Sequence, residues 1–92
     1  MLSMHPGEYI EMVYLEGFDM KISELAKKLG VSVSSVSRLV NQKSDLSPNM
    51  AMRLSYVVGQ SPEFWMSMQA RHSLAQEMEK FSAENLGLKK AC

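Results

Sequence analysis

Apolar residues recur along this chain at intervals of three and four, the spacing that places side chains on one side of an α-helix. No stretch alternates apolar and polar residues over the length of a β-strand. The pattern therefore predicts an all-α protein, a compact arrangement of five helices. The predicted helices run from Pro6 to near Gly17, over residues 22–29, over about 33–42, from Ser47-Pro48 to Gly59, and from Ser61-Pro62 to about residue 73 or beyond.

Residues with known preferences for helix ends mark most of these boundaries. Ser32 suits the N-cap of the third helix, because its hydroxyl accepts a hydrogen bond from a free amide of the first turn. Gly30 suits the left-handed position that ends the second helix. Lys21 stands where that second helix begins and has no acceptor, so Asp19 or Ser23 is expected to replace the missing cap.

The joint between the second and third helices is short. Only Gly30-Val31-Ser32 separates them, which predicts two helices that cross steeply as a helix-turn-helix over about residues 22–42. At about 100° per residue, the apolar side of the third helix faces the core and the small or polar side faces outward. Val36, Leu39 and Val40 form the first side, and Val33, Ser34, Ser37, Arg38 and Asn41 form the second.

The outward side of the third helix fits the major groove of DNA. Small side chains allow the helix backbone to approach base edges closely, and the fork of Arg38 matches guanine O6 and N7. The hydroxyls of Ser34 and Ser37 donate or accept hydrogen bonds, and Val33 suits a thymine methyl group. The alternative is a face that is only solvated, but such faces are usually richer in Lys and Glu.

Charge is unevenly distributed along a chain of 92 residues, a length suited to one domain. Ten basic residues balance ten acidic ones, and a net charge of zero argues against a nucleic-acid binder. However, residues 1–20 carry four acidic and no basic side chains, whereas residues 21–43 carry five basic side chains and one acidic. Charge alone favours an ordinary solvated helix, although a local basic field also suits phosphate binding.

Other function classes find little support in the residues. His5 and His72 have no ligand partners at metal spacing, so we expect no metal site. No Gly-rich phosphate loop occurs, and the adjacent His72 and Ser73 point apart on a helix and cannot form a nucleophile–base pair, so we expect no cofactor and no enzyme activity. No run of about 18 apolar residues predicts a membrane span, and the first residues do not resemble a signal peptide. We therefore expect a cytoplasmic protein in which the single Cys92 forms no intrachain disulfide.

From residue 5 to about residue 75 the sequence resembles the HigA-type antitoxins of bacterial toxin–antitoxin modules. These belong to the lambda-repressor-like (XRE) helix-turn-helix class. Each matching piece is weak alone, and their order and spacing together are specific. The pieces are His5-Pro6-Gly7-Glu8, Leu25-Ala26, Leu29-Gly30-Val31-Ser32, Ser37-Arg38-Leu39, Asn41, Lys43, Met50-Ala51, Arg53-Leu54, Ser61-Pro62-Glu63-Phe64-Trp65 and Gln69.

The resemblance implies a homodimer that binds a palindromic operator in double-stranded DNA, represses its own operon and neutralises a small basic toxin of the RelE-like mRNA endonuclease type. The apolar pattern loosens beyond about Ser73, which predicts a domain over residues 1–73 and an extension over 74–92, frayed at its end, for dimer or partner contacts. The implied base-reading residues are Val33, Ser34, Ser37 and Arg38. Asn41 and Lys43 match positions that in this fold class commonly touch the sugar-phosphate backbone, and Lys21, Ser23, Ser32 and Ser35 are expected to join them as phosphate contacts. Because the other apolar faces are committed to one small core, helix five is expected to carry the dimer or partner contacts, at Trp65, Met68, His72 and Ala75, although a tryptophan near a helix start is more often a core residue.

The sequence departs from the family pattern at three places. Val33-Ser34-Ser35 stands where relatives often have Arg or Asn, Gln42 replaces a common glycine, and Met20-Lys21 replaces a usual Ser or Thr cap. Two alternative functions remain open at this point. One is a solitary helix-turn-helix regulator without a toxin, and the other is a protein-interaction module that no longer binds DNA.

Overall fold

The structure is a computed structural model that describes residues 3–91. The first two residues and Cys92 lie outside this range. The predictions of no signal peptide and of no intrachain disulfide fall partly or wholly on them. Residues 3–91 form six α-helices and one π-helical segment, with no β-strand, which confirms the predicted all-α class. The elements are α1 (Pro6–Ile10), the π segment (Glu11–Glu16), α2 (Ile22–Leu29), α3 (Val33–Val40), α4 (Pro48–Val58), α5 (Pro62–Lys80) and α6 (Ala83–Leu86).

Serine hydroxyls begin α3, α4, α5 and α6. Ser32 accepts a hydrogen bond from the Ser35 amide at 3.1 Å, and Ser47 and Ser61 cap α4 and α5 in the same way before a first-turn proline. At the end of α2, Gly30 adopts φ 70°, the left-handed conformation predicted for it. These ends form as predicted because each depends on residues only a few positions apart.

The start of α2 has no side-chain cap. Lys21 occupies the N-cap position, and neither Asp19 nor Ser23 supplies the hydrogen bond expected in its place. Asp19 has φ 53° and lies in the loop that leads into α2. The free amides of the first turn of α2 therefore have no capping side chain among residues 3–91.

Trp65 is the centre of the core. Its side chain is fully buried near the start of α5, and its indole N–H donates to the Gly59 carbonyl at 3.2 Å. Tyr9 and Phe64 contact it edge to face, with ring centroids 5.5 and 5.4 Å away. Such pairs stabilise a core beyond the burial of their surface. The remaining buried apolar side chains are Ile10, Tyr14, Leu25, Ala26, Leu29, Val36, Leu39, Val40, Leu46, Ala51, Leu54 and Met68.

Helix α1 packs tightly against the end of α3. Gly7 lies so close to α3 that a Cβ atom there would be 1.8 Å from the Leu39 carbonyl oxygen. Only glycine fits at this distance. The start of α1 therefore supports the C-terminal end of α3 by direct backbone contact.

A histidine pair joins the N-terminal segment to α5. The rings of His5 and His72 meet edge to face at 4.9 Å, although 67 positions separate them in sequence. His5 is buried, and its Nδ1 accepts the Gly7 amide at 2.9 Å while its Nε2 has no hydrogen-bond partner among the described residues. Burial, with a smaller contribution from His72, lowers the pKa of His5 below its ordinary value; Ser44, Asp45 and Glu8 oppose this weakly.

Helix α5 continues without a break across the predicted domain boundary at residue 73. Its first half contributes Trp65, Met68 and Gln69 to the core, whereas all side chains from residue 76 to its end are exposed. The separate roles of residues 1–73 and 74–92 therefore stay a prediction. No helix within residues 3–91 has both the length and the apolar character needed to cross a membrane.

Candidate nucleic-acid interface

Helix α3 presents two sharply different sides. Val36, Leu39 and Val40 are buried against the core, as the sequence predicts. On the opposite side Val33 is 50% exposed, Ser34 and Arg38 are exposed, and Ser37 is half-buried. The four residues predicted to read bases therefore share one accessible side of one helix. This side of α3 is called the serine–arginine face below.

A group of hydroxyls surrounds the first turn of α3. The Ser32 hydroxyl lies 2.9 Å from that of Ser35 and 3.2 Å from that of Ser34. Ser32 uses one acceptor position for the cap bond, and its remaining donor and acceptor positions face the neighbouring hydroxyls of Ser34 and Ser35. Ser32 therefore orders the turn, while the hydroxyl of Ser34 stays exposed.

Arg38 is the long side chain of the serine–arginine face. Its guanidinium is 3.5 Å from the Ser35 hydroxyl, a weak contact, and no carboxylate within residues 3–91 forms an ion pair with it. Arg38 lines a cavity of about 170 Å³ beside the start of α4, together with the polar Ser35, Ser44, Asp45 and Ser47 and the apolar Leu39 and Met50. The guanidinium is therefore available for a base edge or a phosphate at the surface.

The residues predicted to contact phosphates lie at the start of α2, along α3 and just beyond its end. Lys21 and Ser23 are exposed at the start of α2, and Lys43 is exposed just beyond α3. Asn41 is exposed too, but its amide nitrogen donates to the Ser37 carbonyl at 2.9 Å. Asn41 thus ends α3 in this conformation, and a phosphate contact through its amide nitrogen requires that bond to be released or shared.

Two side chains that the sequence analysis did not treat as site residues hold the segments on either side of α3. Arg53 donates to the Leu29 carbonyl at 2.8 Å, before the turn into α3. Gln69 is buried and accepts the Leu46 amide at 2.8 Å, beyond the end of α3, while its nitrogen contacts Asp45 and Ser73 at 3.3 and 3.0 Å. Both residues appear in the family pattern. The Leu29 carbonyl is 24 positions from Arg53 and the Leu46 amide is 23 positions from Gln69, so no local signal in the sequence identifies these two bonds.

The predicted dimer or partner contacts on α5 need a correction. Trp65 is fully buried and Met68 is 7% exposed, so both side chains belong to the core and offer almost no surface to a second chain. Their apolar character, which suggested a contact surface, is instead used inside the monomer. His72 and Ala75 are half-buried, and His72 Nδ1 lies 3.0 Å from the Ser3 carbonyl.

The exposed apolar side chains of α5 lie further along the helix than predicted. Leu74, Met78 and Phe81 are each more than half exposed, and they line an open groove that also includes Glu77. Their spacing of four and three residues places them on one side of the helix or just beyond its end. This stretch, and not Trp65 and Met68, is the apolar surface that α5 offers.

Comparison with known proteins agrees with this geometry. The helix-turn-helix family HTH_3 matches residues 14–65, which include α2, α3 and α4. The uncharacterized HTH-type transcriptional regulator YbaQ of Escherichia coli K12 is 40% identical over 83 residues, 89% of this chain and 74% of that protein. Antitoxin HigA-1 of Vibrio cholerae is 30% identical over 78 residues, 85% of this chain and 73% of that protein.

A solved structure extends the likeness to the whole chain. The Pseudomonas aeruginosa antitoxin HigA, solved with the higBA promoter, superposes with a TM-score of 0.87 and 30% identity over 98% of each chain. Its family consists of DNA-binding regulators and antitoxins and is not a family of enzymes. With the match over residues 14–65 and the exposed face of α3, these similarities show that the chain belongs to the HTH_3 helix-turn-helix family, of the XRE type, and is similar to its HigA-type antitoxins.

Proposed function

We propose that this chain is a cytoplasmic, homodimeric antitoxin that represses its own operon and neutralises an mRNA endonuclease toxin. The observation that carries the DNA-binding part is the serine–arginine face, accessible on one side of α3 and anchored by buried Val36, Leu39 and Val40 on the other. A solved relative with the same fold, the Pseudomonas aeruginosa antitoxin HigA, has its structure with the higBA promoter. An enzyme role is not proposed, because no set of residues is assigned to one.

The mechanism is bivalent docking. Two copies of α3, about 34–36 Å apart, enter successive major grooves of a palindromic operator. Val33, Ser34, Ser37 and Arg38 contact base edges in this arrangement. Lys21, Ser23, Ser32, Ser35, Asn41 and Lys43 contact or order the backbone around them, and those contacts fix the register of the protein on the duplex. Because few lysines are involved, binding depends only moderately on salt.

The experiment compares Arg38→Ala and Lys43→Ala in binding to the DNA upstream of the gene and to a scrambled duplex. Arg38→Ala is expected to lose about 1–3 kcal/mol on the upstream DNA and little on the scrambled one, because a base contact is lost. Lys43→Ala is expected to weaken binding to both duplexes and to lower the salt slope by about one for each protomer, about two for the dimer. Equal losses on both duplexes for Arg38→Ala would contradict base reading by this residue.

Absence of binding to either duplex at low salt would contradict the whole proposal. Non-specific binding through phosphates is strongest under those conditions, so a functional DNA-binding face should be detected there. The chain would then be an interaction module that uses the helix-turn-helix for another purpose.

A solitary transcriptional regulator is the second candidate, because YbaQ, 40% identical to this chain, is described as an HTH-type transcriptional regulator. The two candidates differ in whether the chain has a toxin as its partner. Co-expression with the neighbouring gene separates them, since an antitoxin co-purifies with a small basic protein and relieves its toxicity. A regulator that binds its operator but captures no such protein supports the second candidate.

A further inference from the structure

Arg53 connects α4 to the joint of the helix-turn-helix. Its Nη1 donates to the Leu29 carbonyl at 2.8 Å and lies 3.3 Å from the Gly30 carbonyl, while its Nε donates to the Asn49 side chain at 2.7 Å. One guanidinium therefore bridges the last turn of α2 and the first half of α4. We refer to this set of bonds as the Arg53 clamp.

The chemistry of a helix end explains why arginine suits this place. The last carbonyl groups of α2 have no partner within their own helix, and together they form its partially negative end. A cation with N–H donors bonds to the free carbonyls and also balances the partial negative charge of the helix end. Hydrogen bonds from a charged donor are stronger than those from a neutral one. Asn49 holds the planar guanidinium in the orientation that reaches these carbonyls.

Gly30 allows the guanidinium to come this close. A Cβ atom built on Gly30 would lie 3.2 Å from Arg53 Nη1, tighter than an ordinary contact. The left-handed φ of 70° at Gly30 already favours glycine for a different reason. The same residue thus permits both the turn into α3 and the approach of Arg53.

We propose that Arg53 is a positioning residue for DNA recognition, which fixes the point where α3 leaves α2 and so the direction of the serine–arginine face. This inference rests on the proposed DNA binding and adds a residue that does not itself face the DNA. Hydrogen bonds are directional, whereas the apolar contacts of Val36, Leu39 and Val40 with the core are not. Contacts with base edges require side chains placed to within about 0.5 Å, which apolar packing alone does not ensure.

The test compares Arg53→Met, which keeps the length of the apolar stem but removes the guanidinium, with Arg53→Lys, which keeps the charge but loses the forked guanidinium. Arg71→Met is the matched control, because Arg71 is exposed on α5 and forms no ion pair among the described residues. Asn49→Ala is a milder variant that keeps the guanidinium and removes its support. All variants are compared as folded protein, at a temperature well below unfolding.

Two measurements are made on each variant. The first is hydrogen exchange at the Val31 amide, which donates to the Ala26 carbonyl at 3.1 Å within the joint. We expect exchange about tenfold faster in Arg53→Met and unchanged in Arg71→Met, because the clamp no longer restrains the turn. The second is affinity for upstream and scrambled DNA as a function of salt. We expect about tenfold weaker binding to upstream DNA alone, an unchanged salt slope, partial recovery in Arg53→Lys and a smaller loss in Asn49→Ala.

The possible contrary results have different meanings. A salt slope lowered by about one for each protomer, with equal losses on both duplexes, would make Arg53 a phosphate contact and overturn the positioning role. Normal exchange and normal affinity in the folded Arg53→Met protein would overturn it as well. If the wild-type protein binds neither duplex, the proposed function fails and the positioning role fails with it. The exchange rate at the Val31 amide then shows separately whether the Arg53 clamp restrains the turn.

Discussion

Replacing Gly7 by alanine is expected to separate α1 from the end of α3. The added Cβ atom would lie 1.8 Å from the Leu39 carbonyl oxygen, 2.7 Å from its carbonyl carbon and 3.0 Å from the Val40 Cα. Ordinary contacts begin at 3.4 Å, so the two backbones must move apart by more than an ångström. Each of these neighbours is backbone, so a change of side-chain rotamer cannot relieve the overlap.

The magnitude follows from two opposing effects. Inserting a methyl group into a well-packed site costs about 1–3 kcal/mol, and the upper end applies where backbone has to move. Alanine recovers up to about 1 kcal/mol through its better helix propensity. The net loss of unfolding free energy is about 2 kcal/mol, which lowers the melting temperature of a domain this size by about 10 °C.

Thermal and urea unfolding followed by circular dichroism measure this loss. Glu11→Ala is the control, because Glu11 is exposed in the segment that follows α1, and surface changes of this kind stay within about 0.5 kcal/mol. A Gly7→Ala protein that melts at or above the temperature of the control would refute the close backbone contact between α1 and α3. Since that contact supports the C-terminal end of α3, Gly7→Ala should also weaken binding to upstream DNA.

Three further predictions concern the stability of the fold and the burial of Trp65. The pKa of His5 is lowered in the folded protein, so unfolding takes up a proton below a pH of about 6.5. The free energy of unfolding should therefore have its full value above that pH and decrease as the pH falls below it. His5→Asn, whose side chain can still accept the Gly7 amide, should flatten this pH dependence in urea titrations. Gln42 has φ 59°, so Gln42→Gly should raise the free energy of unfolding by up to about 1 kcal/mol, and a lower urea midpoint would argue against left-handed strain there. Trp65 is the only tryptophan and is fully buried, so iodide should quench its fluorescence little until the protein unfolds; strong quenching of the folded protein would restore it as a surface residue.

The features that could be predicted from the sequence are those set by neighbouring residues. Ser32 caps α3 and Gly30 ends α2 because each acts within one turn of its own helix. The two sides of α3 are also visible in the sequence, because helical periodicity alone separates Val36 and Leu39 from Ser34.

The features that escaped prediction depend on contacts between distant parts of the chain. Nothing near Arg53 or Gln69 indicates that one reaches the end of α2 and the other the loop after α3. The sequence leaves Trp65 between core and contact surface, with the core the more common place for a tryptophan, because periodicity shows which residues are apolar but not which of two apolar surfaces the core uses; the structure buries it fully. The π-helical geometry of Glu11–Glu16 also has no signal in the spacing of apolar residues.

That π-helical segment has a consequence for comparing chains of different length. In it the Gly17 amide bonds five residues back, to the Met12 carbonyl, where an α-helix bonds four residues back. A wider turn of this kind holds one more residue than an α-helical turn between the same two ends. Chains one residue shorter in this stretch can therefore keep both Ile10 and Gly17 in place, and a single-residue gap in an alignment belongs at 11–16, not in the loop that follows.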